Sequence, residues 1–237
     1  MILLVKRKNA VLILLILFLS IAIFSIDGTT SPIAETVKEN TGPVVVVDAG
    51  HGGEDPGKVS NYSSLAEKDL NLRIAQLLKN LLEQDGYIVY MTRTEDKLNY
   101  SPGTKEIYQK RKQDLTSRKQ FIDQSGADIA ISIHMNSFTD PKYHGAQTFY
   151  PPSSIDSERL AMSIQNALIE VCDNSNKRTA LVKKERIILF RDIKVPTVIV
   201  ECGFLSNKEE EAKLKTLEYQ ELIAKGIKQG IDDFFGK

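Results

Sequence analysis

From Pro43 to the C-terminus, short unbroken apolar runs alternate with segments whose apolar positions recur every three or four residues. Val44–Asp48 reads VVVVD, with no polar alternation, which predicts a strand covered on both faces. Leu70, Ile74, Leu77, Leu78, Leu81 and Leu82 keep helical spacing across 67–84, and Gly86 sits where such a helix is capped. Tyr87–Met91 predicts a second strand. Residues 94–114 are charged and poor in apolar side chains, so an exposed loop leads into a helix that continues through Leu115, Arg118, Phe121 and Ile122 to about Gly126.

Asp128–Ile133 (DIAISI) predicts a third strand with His134 at its end, and Gly145–Tyr150 a fourth. Asp156–Val171 is helical, with Asp156 or Ser157 as its N-cap. Ile187–Phe190 and Thr197–Val200 read as two further strands, the second running directly into Glu201, and helices over 208–214 and 218–235 close the chain. Strands and helices in alternation predict a single α/β domain: about six strands in a mostly parallel twisted sheet, with helices on both faces.

The N-terminus follows a different pattern. After Lys6-Arg7-Lys8, residues 10–26 form a 17-residue apolar run broken only by Ser20 and Ser25. A basic flank before such a run is an export signal, and the run reaches the lower length of a membrane span. With no convincing cleavage site after it, an uncleaved anchor over 1–26 is the first reading and a cleaved signal the second. The basic flank stays cytoplasmic, so the rest is exported to the outer face of the membrane. Residues 27–42, rich in Thr, Ser, Pro and Gly, read as a tether, which leaves 43–237 as the folded domain.

Charge sharpens this division. The 237-residue chain carries 31 bases and 31 acids, but three of the bases lie in the first 26 residues, so the exported part is acidic at net −3. Nucleic-acid binding, which rests on a basic excess, is excluded as a partner class. Cys172 and Cys202 do not make a disulfide framework in a domain of this size and are expected to stay unpaired.

In open α/β sheets, ligands bind beyond the carboxyl ends of the strands. His51 follows the first strand, His134 the third and Glu201 the sixth, and Glu67 opens the first helix, whose N-terminus faces the same rim. A hydrolytic zinc site needs three ligands from His and Asp/Glu, an open position for water, and a base outside the metal's ligands. His51, Glu67 and His134 supply the ligands and Glu201 the base. Two alternatives stay open. His51 and Glu54 form an H-x-x-E pair of the kind carried by zinc carboxypeptidases, so Glu54 could displace Glu67; His144 is the substitute if Glu67 is no ligand.

The runs VVVVDAGHGGEDPG (44–57), LAEKDLNL (65–72), ISIHMNS (131–137) and PTVIVECGFLSN (196–207) together resemble the zinc-dependent N-acetylmuramoyl-L-alanine amidases of the amidase-3 family. The resemblance implies one zinc ion on His51, Glu67 and His134, with Glu201 as catalytic acid/base. It implies hydrolysis of the amide between N-acetylmuramic acid and L-alanine in peptidoglycan. The minimal form, one domain behind one hydrophobic segment, is similar to the spore-germination branch of that family. Such enzymes strip stem peptides from cortex, and a deacetylase then allows muramic-δ-lactam to form. Since no wall-binding repeat is visible, localisation falls to the anchor or to a lipoprotein partner.

Asn136 is a candidate to hold a substrate amide or to orient its loop. Asp48 and Asp55 both flank His51 as acceptors for its second ring nitrogen. Arg93 is expected in a surface salt bridge or on a substrate carboxylate. A non-catalytic wall-binding or regulatory protein would need a broken site, and all four residue types are intact.

Overall fold

A computed structural model describes residues 41–237; the apolar run at 10–26 and most of the tether lie outside them. Among the described residues no helix is long and apolar enough to cross a membrane. The elements in chain order are β1 (Val44–Ala49), α1 (Glu67–Gln84), β2 (Ile88–Met91), α2 (Ile107–Gln124), β3 (Ile129–Asn136), β4 (Gln147–Tyr150), α3 (Ile155–Cys172), β5 (Leu181–Val182), β6 (Thr197–Phe204), α4 (Lys208–Leu214) and α5 (Leu217–Phe235).

The six strands form one sheet in the order β2-β1-β3-β6-β4-β5. All neighbours are parallel except β4 against β6. Alternate residues of each strand serve two unequal cores. Val45, Val47, Ile129, Ile131, Ile133, Val198 and Val200 join Leu70, Ile74, Leu78, Leu160, Ile164 and Ile227 of α1, α3 and α5 in the main core. On the other face Val46 and Ala130 meet Ile122 of α2 with Leu189 and Val195, edged by the partly buried Leu115, Ala127, Ile187 and Phe190. That second face is thinly covered, and the next residues along it are Asp48, Ser132, His134 and Glu201.

Three sequence expectations are corrected. Ile187–Phe190 is not a strand: Ile188–Phe190 makes one 3₁₀ turn that presses Leu189 onto the sheet. The fifth strand is instead Leu181–Val182, just two residues long, and it exists by pairing with Phe149 and Tyr150. Both central strands also outrun their predicted ends, because β3 and β6 stay paired past His134 and Glu201 through an irregular register that leads to Asn136 opposite Phe204. The cap of α3 is Ser154, which accepts from the Ser157 amide, rather than Asp156 or Ser157.

Candidate active site

The loop after β1 turns through Gly50-His51-Gly52-Gly53, and His51 itself has φ 61°, in the left-handed region. A non-glycine residue there costs on the order of 1–3 kcal/mol, so its neighbours must hold it. Arg118 Nη2 donates to the His51 carbonyl at 2.7 Å. Gly52 and Asp55 exchange both backbone hydrogen bonds at 2.9 Å, which folds the loop back until His51 Nδ1 donates to Asp55 Oδ2 at 2.7 Å. Of the two flanking acids, Asp55 is therefore the acceptor. Asp48 turns away, accepting from Thr92, Ser132 and Arg118 at 2.6, 2.5 and 2.9 Å.

With its Nδ1 engaged, His51 presents Nε2 to Glu67, 3.2 Å from Oε1. His134 reaches the same oxygen with Nδ1 at 2.9 Å. Glu67 is held from behind by backbone amides: Met135 N donates to Oε1 at 3.1 Å and Lys58 N to Oε2 at 2.8 Å. One ligand atom from each of the three side chains lies within 4.8 Å of the others. Two glycines permit this convergence. A Cβ on Gly50 would lie 2.3 Å from the His134 ring, and one on Gly57 would lie 2.6 Å from Glu67 Oε2 and 2.7 Å from His51 Cδ2.

The electrostatics of the trio favour positive charge at its centre. Burial works to raise the Glu67 carboxyl, but hydrogen bonds from His134 and His51 outweigh it and hold the group far below its usual range. Burial likewise works to lower His51, yet bonds to Asp55 and Glu67 push it up to about 9. Two imidazoles and one carboxylate aimed at one spot are also the donor chemistry that suits zinc. The residues fit such an ion.

Glu201 stands beside the trio on β6, paired in register with His134 on β3. Burial pushes its carboxyl above the ordinary value, and its Oε2 is buried without a hydrogen-bond partner among the described residues. Both residues line a cavity of ≈260 Å³ on the thinly covered face, walled by Leu115, Ile187, Leu189 and Ile199. An unpaired carboxylate oxygen at such a wall is costly and available to take a proton.

Residues 45–233 match the family model for N-acetylmuramoyl-L-alanine amidase of the amidase-3 type. The chain belongs to that family. This amidase is 34% identical over 195 residues to the germination-specific N-acetylmuramoyl-L-alanine amidase of Bacillus subtilis, covering 82% of this chain and 81% of the relative. Among solved structures it resembles the CwlD amidase of Clostridioides difficile in complex with the GerS lipoprotein, with TM-score 0.80 and 41% identity over 82% of this chain and 98% of that one. An N-acetylmuramoyl-L-alanine amidase from Clostridium difficile 630 follows at TM-score 0.70 and 31% identity, over 83% and 98% of the two chains.

Residues outside the convergent trio find other places in the amidase. Glu54 points away, accepting from Tyr100 and Lys110 at 2.7 Å, so the H-x-x-E pair does not form. His144 Nδ1 contacts the Lys142 carbonyl in its own turn. Asn136 ties its loop: its Oδ1 accepts from Ser137 N at 2.8 Å and its carbonyl from Leu205 N at 2.9 Å. Cys172 and Cys202 are both free.

Arg93 meets neither of its expected partners. It is buried and donates to the carbonyls of Ala49, Gly50, Lys68 and Glu95. Arg118 was hidden in the sequence as one position of a helical stripe. It is buried too, donating to the Ala49 carbonyl and bridging Asp48 to Asp114. A charged residue on an otherwise apolar stripe was the signal. Asn71, one turn after Glu67 on α1, donates to the Gly50 carbonyl at 3.0 Å.

Proposed function

We propose that this amidase uses one zinc ion, held by His51, Glu67 and His134, to hydrolyse the amide between the lactyl group of N-acetylmuramic acid and L-alanine. The observation that carries the reading is the unpartnered Glu201 Oε2, buried in register with His134. Zinc in that trio supplies Lewis acidity, which polarises a carbonyl and acidifies water. Glu201 takes the proton of the attacking water and returns it to the departing amine of L-alanine, so one carboxylate serves both halves of the reaction. Asp55 holds the His51 ring by its Nδ1, Arg118 and Arg93 fix the loop carbonyls around it, and the apolar wall keeps bulk water from the reacting amide. Asn136 offers its side-chain NH₂ to a substrate carbonyl.

Spore cortex is the wall that we assign, with release of whole stem peptides before a deacetylase acts and muramic-δ-lactam forms. The name of the Bacillus subtilis relative supports this. The complex of the Clostridioides difficile relative with the GerS lipoprotein supports a lipoprotein partner here as well. Residues 1–26 serve as anchor or signal, 27–42 as tether and 43–237 as the catalytic domain on the outer face of the membrane.

Muropeptide mass spectrometry tests the reaction. Purified full-length protein incubated with cortex peptidoglycan is expected to release intact stem peptides, to stop on chelation and to resume on addition of zinc. Shortening of the peptides at their C-termini would identify a carboxypeptidase instead, and no release at all would mark a wall-binding protein.

A further inference from the structure

The charges around the cavity are balanced within the protein, with two exceptions. Arg118 is paired with Asp48 at 2.9 Å and with Asp114 at 2.7 Å, and Arg111 with Asp55 at 2.9 Å. The two histidines share Glu67. Glu201 and Lys183 are left. Glu201 is assigned to proton transfer; Lys183 is a half-buried cation lining the same cavity, with its Nζ 4.6 Å from the centroid of the Phe149 ring. It has no ion-pair partner among the described residues.

The cavity wall and the Phe149 ring place this side chain, on the sheet face that carries Glu201. Phe149 pairs with Ile199 on one side and Leu181 on the other, so these three share a face with Glu201, two residues beyond Ile199. Lys183 lies two residues beyond Leu181 and is anchored by its amide on the Tyr150 carbonyl at 2.8 Å. Successive same-face positions of β6, β4 and β5 thus lead from the proposed base to the lysine. A cation against aromatic and apolar walls, with no ion pair and, among the described residues, only the Glu201 carboxylate as a charge of opposite sign within electrostatic reach, is a receptor for an anion brought by the ligand.

On the amidase reading, on which this inference rests, just one side of the scissile bond can bring that anion. The lactyl carboxyl of muramic acid is consumed in the amide itself. On the peptide side, the residue after L-alanine is a glutamate joined through its γ-carboxyl, so its α-carbon bears a free carboxylate in some walls and a carboxamide in others. We propose that Lys183 is the specificity-determining residue that binds this α-carboxylate, which directs the stem peptide along β4 and β5 and leaves the glycan on the far side of the metal site.

Two soluble muramyl tetrapeptides that differ only in α-carboxylate against α-carboxamide provide the test, with the full-length protein assayed for kcat/KM. The wild type is expected to favour the carboxylate by on the order of 10- to 100-fold, as for a hydrogen bond to a charged group. Lys183→Met is expected to remove the preference by lowering turnover of the carboxylate twin alone, and Lys183→Arg to retain part of it. Equal loss on both twins in Lys183→Met, which is what a packing role against Phe149 predicts, would overturn the assignment, as would a wild type that does not discriminate. Cleavage of neither twin by the wild type would instead bring down the amidase reading, and this assignment with it.

Discussion

His134 and Glu201 stand opposite each other across β3 and β6, so a proposed metal ligand and a proposed base share one rung of the central sheet. Their roles should separate on substitution. Glu201→Gln preserves shape and is expected to keep stoichiometric zinc while losing on the order of 10²- to 10⁴-fold in stem-peptide release, the range of a positioned acid/base. His134→Ala is expected to lose both metal and activity. Elemental analysis beside the release assay distinguishes them; a Glu201→Gln protein with wild-type turnover would end the base assignment.

His51 depends on Asp55, whose 2.7 Å bond fixes which ring nitrogen faces Glu67, and Asp55 in turn is held by Arg111 at 2.9 Å. Asp55→Ala leaves the ring free to turn. Zinc affinity is expected to fall about 10- to 100-fold, the usual cost of losing such a support, as measured by competition with a chromophoric chelator. Unchanged affinity would mean that the loop backbone alone orients His51.

Gly50 has an ordinary backbone conformation, so its need for glycine is one of space. A methyl group there would lie 2.3 Å from Cε1 and Nε2 of His134, far inside van der Waals contact. The His134 ring or the loop must move by an ångström or so, which a well-packed rim resists. Gly50→Ala is therefore expected to fold with near-native circular dichroism and to bind zinc poorly. Full metal occupancy in this variant would show the loop to be softer than its two arginine clamps imply.

Sequence patterns exposed the buried centre of this fold and hid its edge. β1, β3 and β6 announce themselves because strands covered on both faces are solid apolar runs, and a polar residue at the end of such a run, such as His134 or Glu201, stands out against it. Ile187–Phe190 misled because an apolar run reports burial, not conformation: Leu189 is buried beneath the sheet from a 3₁₀ turn. Leu181–Val182 is too short to carry any periodicity and takes its form from β4. The partners of Arg93 and Arg118 were illegible for a related reason, although a charge on the apolar stripe of α2 marked Arg118 itself. Both arginines clamp carbonyls at the end of β1 and in the loop after it, while Arg93 also reaches the Lys68 and Glu95 carbonyls and Arg118 bridges Asp48 to Asp114, contacts that no spacing in the sequence encodes.

Asp48 links this buried charge network to stability. Burial works to raise its carboxyl, but Arg118, Ser132 and Thr92 outweigh that and hold it at about 2, against 3.8 for the free side chain. A folded-state value below the unfolded one means that the native state binds the proton more weakly, so the stabilisation is complete above pH about 4 and is lost as the pH falls toward 2. Its size at neutral pH is about 2 kcal/mol, and roughly half is gone by pH 3. Asp48→Asn carries no titrating group at this position, so its deficit against wild type in urea denaturation is expected to be largest at pH 7 and to shrink by about that amount at pH 3. A deficit that stays constant across this range would show that Asp48 stabilises the fold through shape and neutral hydrogen bonds, with its charge contributing nothing.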